Sequence, residues 1–197
     1  TWGDSAPADI AFEITGGLIA GYRSYGGPKY QLFPADETEG KAVGEATVAP
    51  DGNPYPIVLR TPLAGLQRVE LEDHSVKTKT AWTNTMALTL MPSLEQPIAL
   101  SASAPMFFYV PRGTQRIGGF ATGSGDVRNA AGEVVQTFDR HKDYFSVPVT
   151  PGQDGQLWQV RINGDFVLLT VPPSLAFHPD QLLLPRDVVE KDSRGGR

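Results

Sequence analysis

Four aromatic residues stand in contexts that do not read as core. Trp82 lies in KTKTAWTNT, where its neighbours two positions away are Thr80 and Asn84. On an alternating strand those residues share one face, so the ring is expected on a polar side. Tyr22 and Tyr25 fall in GYRSYGGP and Tyr55 in NPYP, both rich in Gly or Pro. A planar ring left in water can stack on the apolar face of a sugar while adjacent Arg or Asp binds the hydroxyls. Trp82, Tyr22, Tyr25 and Tyr55 are therefore the candidate carbohydrate-binding residues. The alternative is that the rings cover the ends of the fold or an interface between modules.

Hard oxygen ligands on loops suit calcium. Asp139 and Asp143 in FDRHKDYF and Asp154 in PGQDGQ are the candidates for a structural calcium ion, with ordinary solvated loop acids as the alternative. Asp36, Glu37 and Glu39 in FPADETE form a further acidic loop, and no EF-hand spacing occurs. Catalytic patterns are weaker. His74, His141 and His178 have no metal-ligand spacing, Cys is absent, and no G-x-S-x-G motif is present. Glu70 and Glu72 alternate with the expected core residues Val69 and Leu71, which places both glutamates on a solvent face, the usual way to solubilise a sheet. No enzyme is expected and no cofactor is required.

The elements that must position these residues follow from composition. The chain has 197 residues, a formal net charge of -5, 21 Gly and 17 Pro. Its Lys and Arg are scattered, which argues against nucleic acid as a partner. No apolar run reaches the roughly 20 residues of a membrane helix, so membrane insertion is not expected. The chain opens on Thr1 rather than Met, as a processed or a trimmed protein would. Candidate helical windows are broken by Pro or Gly, whereas short alternating segments abound. These include DIAFEI, KYQLF, PIVLR, LQRVELE, TKTAWTNTMALTLM, PMFFYV, RIGGFA, DVRN, EVVQTF, YFSVPV, LWQVRI and DFVLLTV, separated by PDGN, NAAG, PGQDG and NGD. The expected fold is an all-β, antiparallel, jelly-roll-like sandwich. In LWQVRI, period-two logic makes Trp158, Val160 and Ile162 core.

One phrase is written twice. RTPLAGLQRVELED and VTPGQDGQLWQVRIN both run Thr-Pro, turn, Leu, alternating strand. A spacing of roughly ninety residues exceeds a solenoid repeat but suits two tandem sandwich modules. The expected boundaries are 1–95 and 96–190, with 191–197 as a solvated tail. One larger jelly roll with similar hairpins is the alternative.

The segment FFYVPRGTQRIGGFATGSGDVRNAAGEVVQTF, followed by FSVPVTPGQDGQLWQVRI, resembles bacterial pre-peptidase C-terminal domains and similar accessory modules of secreted polymer-degrading proteins. The likeness rests on the aromatic strand ending in Val110-Pro111-Arg112-Gly113-Thr114, on the hairpin before Val134-Val135, and on the Pro-Gly turn before Trp158. It implies a non-catalytic, polysaccharide-binding accessory module of a secreted, periplasmic or cell-surface bacterial protein, joined to other domains of a larger polypeptide. The alternative is a structural spacer or protein-interaction domain of a cell-surface protein.

Overall fold

The computed structural model describes residues 2–3, 8–16, 27–34, 41–62, 65–73, 78–82 and 87–194, with Trp82 described through its backbone. In chain order the strands are β1 (Trp2–Gly3), β2 (Ala8–Thr15), β3 (Lys29–Pro34), β4 (Gly44–Thr47), β5 (Pro54–Thr61), β6 (Gly65–Glu72), β7 (Lys79–Trp82), β8 (Ala99–Leu100), β9 (Met106–Val110), β10 (Arg116–Arg128), β11 (Val134–Pro148) and β12 (Gln156–Leu168). A helix, α1 (Arg186–Arg194), follows. Among the described residues all strand pairing is antiparallel and strands far outweigh helix, so the fold is all-β as expected. The chain divides into two compact units, residues 1–87 and 88–197.

The first unit holds two sheets, in strand orders β1-β6-β3-β4 and β5-β2-β7. Alternation in DIAFEI puts Ile10, Phe12 and Ile14 into a core with Tyr30, Leu32, Val48 and Leu59. Phe12 and Tyr30 lie 5.1 Å apart between ring centroids. On β6, Val69 packs on this cluster but Leu71 is exposed, against the expectation that both are core. Leu71 sits opposite Tyr30, one position from the end of the β3–β6 ladder.

The second unit is built on three long strands in order β11-β10-β12, with β8 and β9 pairing different stretches of β12. RIGGFA and DVRN are one strand here, as are EVVQTF and YFSVPV, and LWQVRI and DFVLL. The expected breaks between them are bends. β10 shifts register between Gly123 and Gly125, Arg140 on β11 takes φ 46°, and Gly164 on β12 takes φ 154°. Gly123 and Gly164 are required by close approach. A Cβ on Gly123 would lie 2.0 Å from the Asn163 carbonyl oxygen, and one on Gly164 would lie 2.2 Å from that of Thr122. The sheet therefore bends across all three strands at one level.

Inside the bend lies the larger core. Met106, Phe108 and Val110 join Ile117, Ala121, Val127, Phe138, Phe145, Trp158, Val160, Ile162 and Phe166. Trp158 is buried as expected, and its indole N–H donates to the Gln153 carbonyl at 2.8 Å. MALTLM does not form the expected strand over its described residues. Leu90 makes one isolated bridge to Leu175, closed by backbone bonds of 2.7 and 2.9 Å. The hairpin between β10 and β11 turns at Asn129–Gly132, where the Asn129 side chain accepts from the Ala131 and Glu133 amides and Gly132 takes φ 82°. The second Thr-Pro echo is a turn with Pro151 at the second position and Gly152 at φ 83°. It leads from β11 to β12, strands that flank β10. The first echo leads from β5 to β6, which belong to different sheets.

The expected solvated tail begins inside α1. Asp187 in the first turn and Lys191 and Arg194 in the last complement the helix dipole, and Glu190 pairs with Arg186 and Arg194. Asp192 is not free in solvent. Its carboxylate accepts from the Tyr109 hydroxyl at 2.6 Å and from the Arg112 amide at 3.1 Å.

β11 is the outer strand of its sheet. The N–H and C=O of Gly118 are spent on Thr170 and Leu169, on the side away from β11. By alternation Phe120 and Tyr144 form a non-hydrogen-bonded pair, and the backbone groups of Tyr144 and Ser146 point to the open edge. Side chains take several such groups. Asp143 accepts from the Tyr144 amide at 2.7 Å, Arg116 donates to the Ser146 carbonyl at 3.3 Å, and Gln136 donates to the Thr137 carbonyl at 2.8 Å.

Candidate functional site

The outer face of β10–β11–β12 carries the alternate residues left over from the core. On β10 these are Arg116, Phe120, Thr122, Ser124, Asp126 and Arg128, on β12 Gln159, Arg161, Asn163 and Asp165, and on β11 Thr137, Lys142, Tyr144 and Ser146. Register turns them into rows. Phe120 stands between Tyr144 and Val167, which is 1% exposed, Thr122 beside Lys142, Ser124 beside Asn163, and Asp126 between Thr137 and Arg161.

The row of rings is the chemically distinctive one. Phe120 and Tyr144 meet edge to face, with centroids 5.5 Å apart and planes at 68°. A non-hydrogen-bonded pair brings side chains closest, about 4.5 Å between Cα atoms, which favours this contact. Tyr144 remains 61% exposed, while Phe120 is partly buried. Flexible groups beside the rings are tied down. Thr122 donates to Asp165 at 3.2 Å and its hydroxyl accepts from the Asp165 amide at 2.8 Å. Arg116 donates to the Ser146 hydroxyl at 2.9 Å. Arg128 pairs with Asp126 at 2.8 Å. Lys142 and Arg161 are exposed and make no ion pair among the described residues. The arrangement is a ring in water flanked by fixed donors and acceptors, which suits recognition of a hydroxylated, ring-shaped ligand better than bond breaking.

Tyr22 and Tyr25 lie outside the described residues, as do Asp36, Glu37, Glu39 and His74. Tyr55 is described: its ring packs against the core of the first unit and its hydroxyl donates to Asp51 at 2.6 Å. That bond lowers the Asp51 carboxyl and raises the Tyr55 phenol. Trp82 pairs through its backbone with Phe12. The premise that Thr80 marks a solvent face needs correcting, because the Thr80 hydroxyl bonds the buried Tyr30 at 2.7 Å. A Thr next to a buried phenol has a partner, so it does not exclude an inward face.

The three candidate calcium ligands do not converge. Asp154 accepts from the Gly113 amide at 2.7 Å, which holds its carboxyl below the usual range. Asp139 and Asp143 lie on β11 at the bend, and Asp143 is engaged by the Tyr144 amide. Among the described residues no three of His, Cys, Asp and Glu form a group that could hold a metal ion. His141 rests against the Phe138 ring, at 5.2 Å between centroids. Glu70 is engaged by Arg68 at 2.9 Å.

Sequence reasoning missed Phe120 and Tyr144. The signal for Tyr144 was available: in DYFSV two aromatics are adjacent, so one faces the core and the other faces out. Which outward ring Tyr144 would meet depended on a register that the bend sets. Compared with known protein families, curated proteins and solved structures, the chain matches none.

Proposed function

We propose that the chain is a non-catalytic polysaccharide-binding module of a secreted or cell-surface bacterial protein, and that it binds through the outer face of β10–β11–β12. The observation that carries this reading is the exposed Tyr144 ring, braced edge to face by Phe120 and bordered by polar groups whose positions are fixed. A braced ring offers apolar area at little cost in lost side-chain freedom. The likeness of this half of the chain to accessory modules of secreted bacterial proteins points the same way. A spacer would have no use for a ring held out in water, which favours binding over a purely structural role.

Affinity electrophoresis of the whole chain through gels containing single polysaccharides tests the reading. At least one polymer is expected to retard the chain, and Tyr144→Ala is expected to restore free mobility without lowering the melting temperature. Retardation unchanged by Tyr144→Ala would remove the outer face as the site.

A further inference from the structure

The charges on the outer face differ from those of the chain as a whole. The protein carries a net charge of -5, yet this face holds Arg116, Arg128, Lys142 and Arg161 against Asp126 and Asp165. The two acids are committed. Asp126 accepts from Arg128 at 2.8 and 3.4 Å, and Asp165 accepts from Thr122. Among the cations, Arg116, Lys142 and Arg161 have no acidic partner among the described residues, and Arg116 is held by the Ser146 hydroxyl and carbonyl. At the bend, exposed Asp139 and Arg140 offset each other, and Asp143 lies on the opposite side of the pleat from Lys142 and Tyr144.

Lys142 and Arg161 bracket the bend. Lys142 sits opposite Thr122 and Arg161 opposite Asp126, four positions further along β10. At about 3.3 Å per residue this separates them by on the order of 13 Å along the strand. Lys142 also lies two residues from Tyr144 on the same side of β11. A ligand stacked on Tyr144 and extending along β10 would pass one cation and then the next, with Ser124 and Asn163 between them.

We propose that the polymer bound on this face is an anionic polysaccharide of uronic-acid type, its ring stacked on Tyr144 and its carboxylates met by Lys142 and Arg161. The inference rests on the polysaccharide-binding reading and adds the charge class of the ligand. A carboxylate gains a charge-assisted hydrogen bond from each cation, which a neutral sugar cannot make. The positive face on a net acidic protein also favours encounter with a polyanion in one orientation.

The test is affinity electrophoresis of the whole chain in gels containing polygalacturonate, alginate, fully methyl-esterified polygalacturonate or poly-L-glutamate. The proposal expects retardation by one of the uronates at least tenfold stronger than by the ester, weakening with added salt. Lys142→Ala combined with Arg161→Ala should weaken binding about tenfold, with the melting temperature unchanged. Equal retardation by uronate and ester overturns the proposal while leaving Tyr144-dependent polysaccharide binding intact. Equal retardation by poly-L-glutamate also overturns it, since a bare polyanion would then suffice. No retardation by either uronate overturns it too, and retardation by a neutral polymer in the same series would show that the platform itself survives.

Discussion

Tyr109 and Asp192 are 83 residues apart in sequence and joined by a 2.6 Å bond from phenol to carboxylate. The bond connects β9 to α1, a nine-residue helix with no buried residue. A helix this short is marginal without tertiary help, and the Asp192 carboxylate supplies an anchor. Asp192→Asn is expected to fray the helix. Amide exchange of residues 188–194 should accelerate by an order of magnitude or more while that of β10 and β12 stays unchanged.

The same tyrosine gives the protein an alkaline limit. Burial, then the hydrogen bond and charge of Asp192, push the Tyr109 phenol up to about 12. Above pH 10 the unfolded chain loses this proton while the folded chain keeps it. The unfolded state then binds fewer protons, and stability falls as pH rises. The contribution is complete below about pH 10 and lost toward pH 12. Urea melts at pH 9, 10 and 11 should show the fall, and Tyr109→Phe should reduce it.

Trp158 and Tyr144 are both strand aromatics, one 1% and the other 61% exposed. Trp158→Ala opens a cavity beside Phe108 and removes the indole bond to Gln153, and is expected to cost about 3–5 kcal/mol. Tyr144→Ala should stay within about 0.5 kcal/mol of the parent, as surface changes do. Denaturant midpoints compared at constant m-value decide this.

Glycines with positive φ fall into two groups. Gly132 and Gly152 have nothing within 4 Å of an added Cβ, so Ala there should cost only the left-handed penalty of about 1–2 kcal/mol. Gly123→Ala adds to its φ of 83° a clash with the Asn163 carbonyl, and should cost more than either or prevent folding. Thermal melts of the three variants give the ranking.

Residues 88–197 should fold alone with one cooperative transition. A shorter piece, 105–190, lacks β8, the Leu90–Leu175 bridge, the Thr89 bonds to Gln181 and Leu183, and Asp192. It should melt at least several degrees lower. Calorimetry of the two pieces checks this, and loss of cooperativity in the longer one would refute it.

How far the sequence was readable depended on the range of the signal. Trp158, Val160 and Ile162 announced their burial because alternation is local and the sheet obeys it. The lengths of β10, β11 and β12 were not readable. Gly123, Arg140 and Gly164 sit in stretches that look like turns, and only pairing with neighbouring strands makes them bends. Thr80 misled because its polarity is satisfied by Tyr30, a partner fifty residues away. Phe120 and Tyr144 illustrate the same limit at the candidate site. Each was visible as a strand aromatic, but their meeting is a product of register.

Strand β11 has a further consequence in concentrated solution. An outermost strand of 15 residues is a template on which another chain can crystallise a sheet, and from there a fibril. Here the Tyr144 amide and the Thr137 and Ser146 carbonyls are already occupied by Asp143, Gln136 and Arg116, and the strand is kinked at Arg140. An incoming strand would have to displace three side chains and match a bend before it gained a continuous ladder. The open margin of the sheet is thereby kept as a boundary of the molecule rather than a growth front.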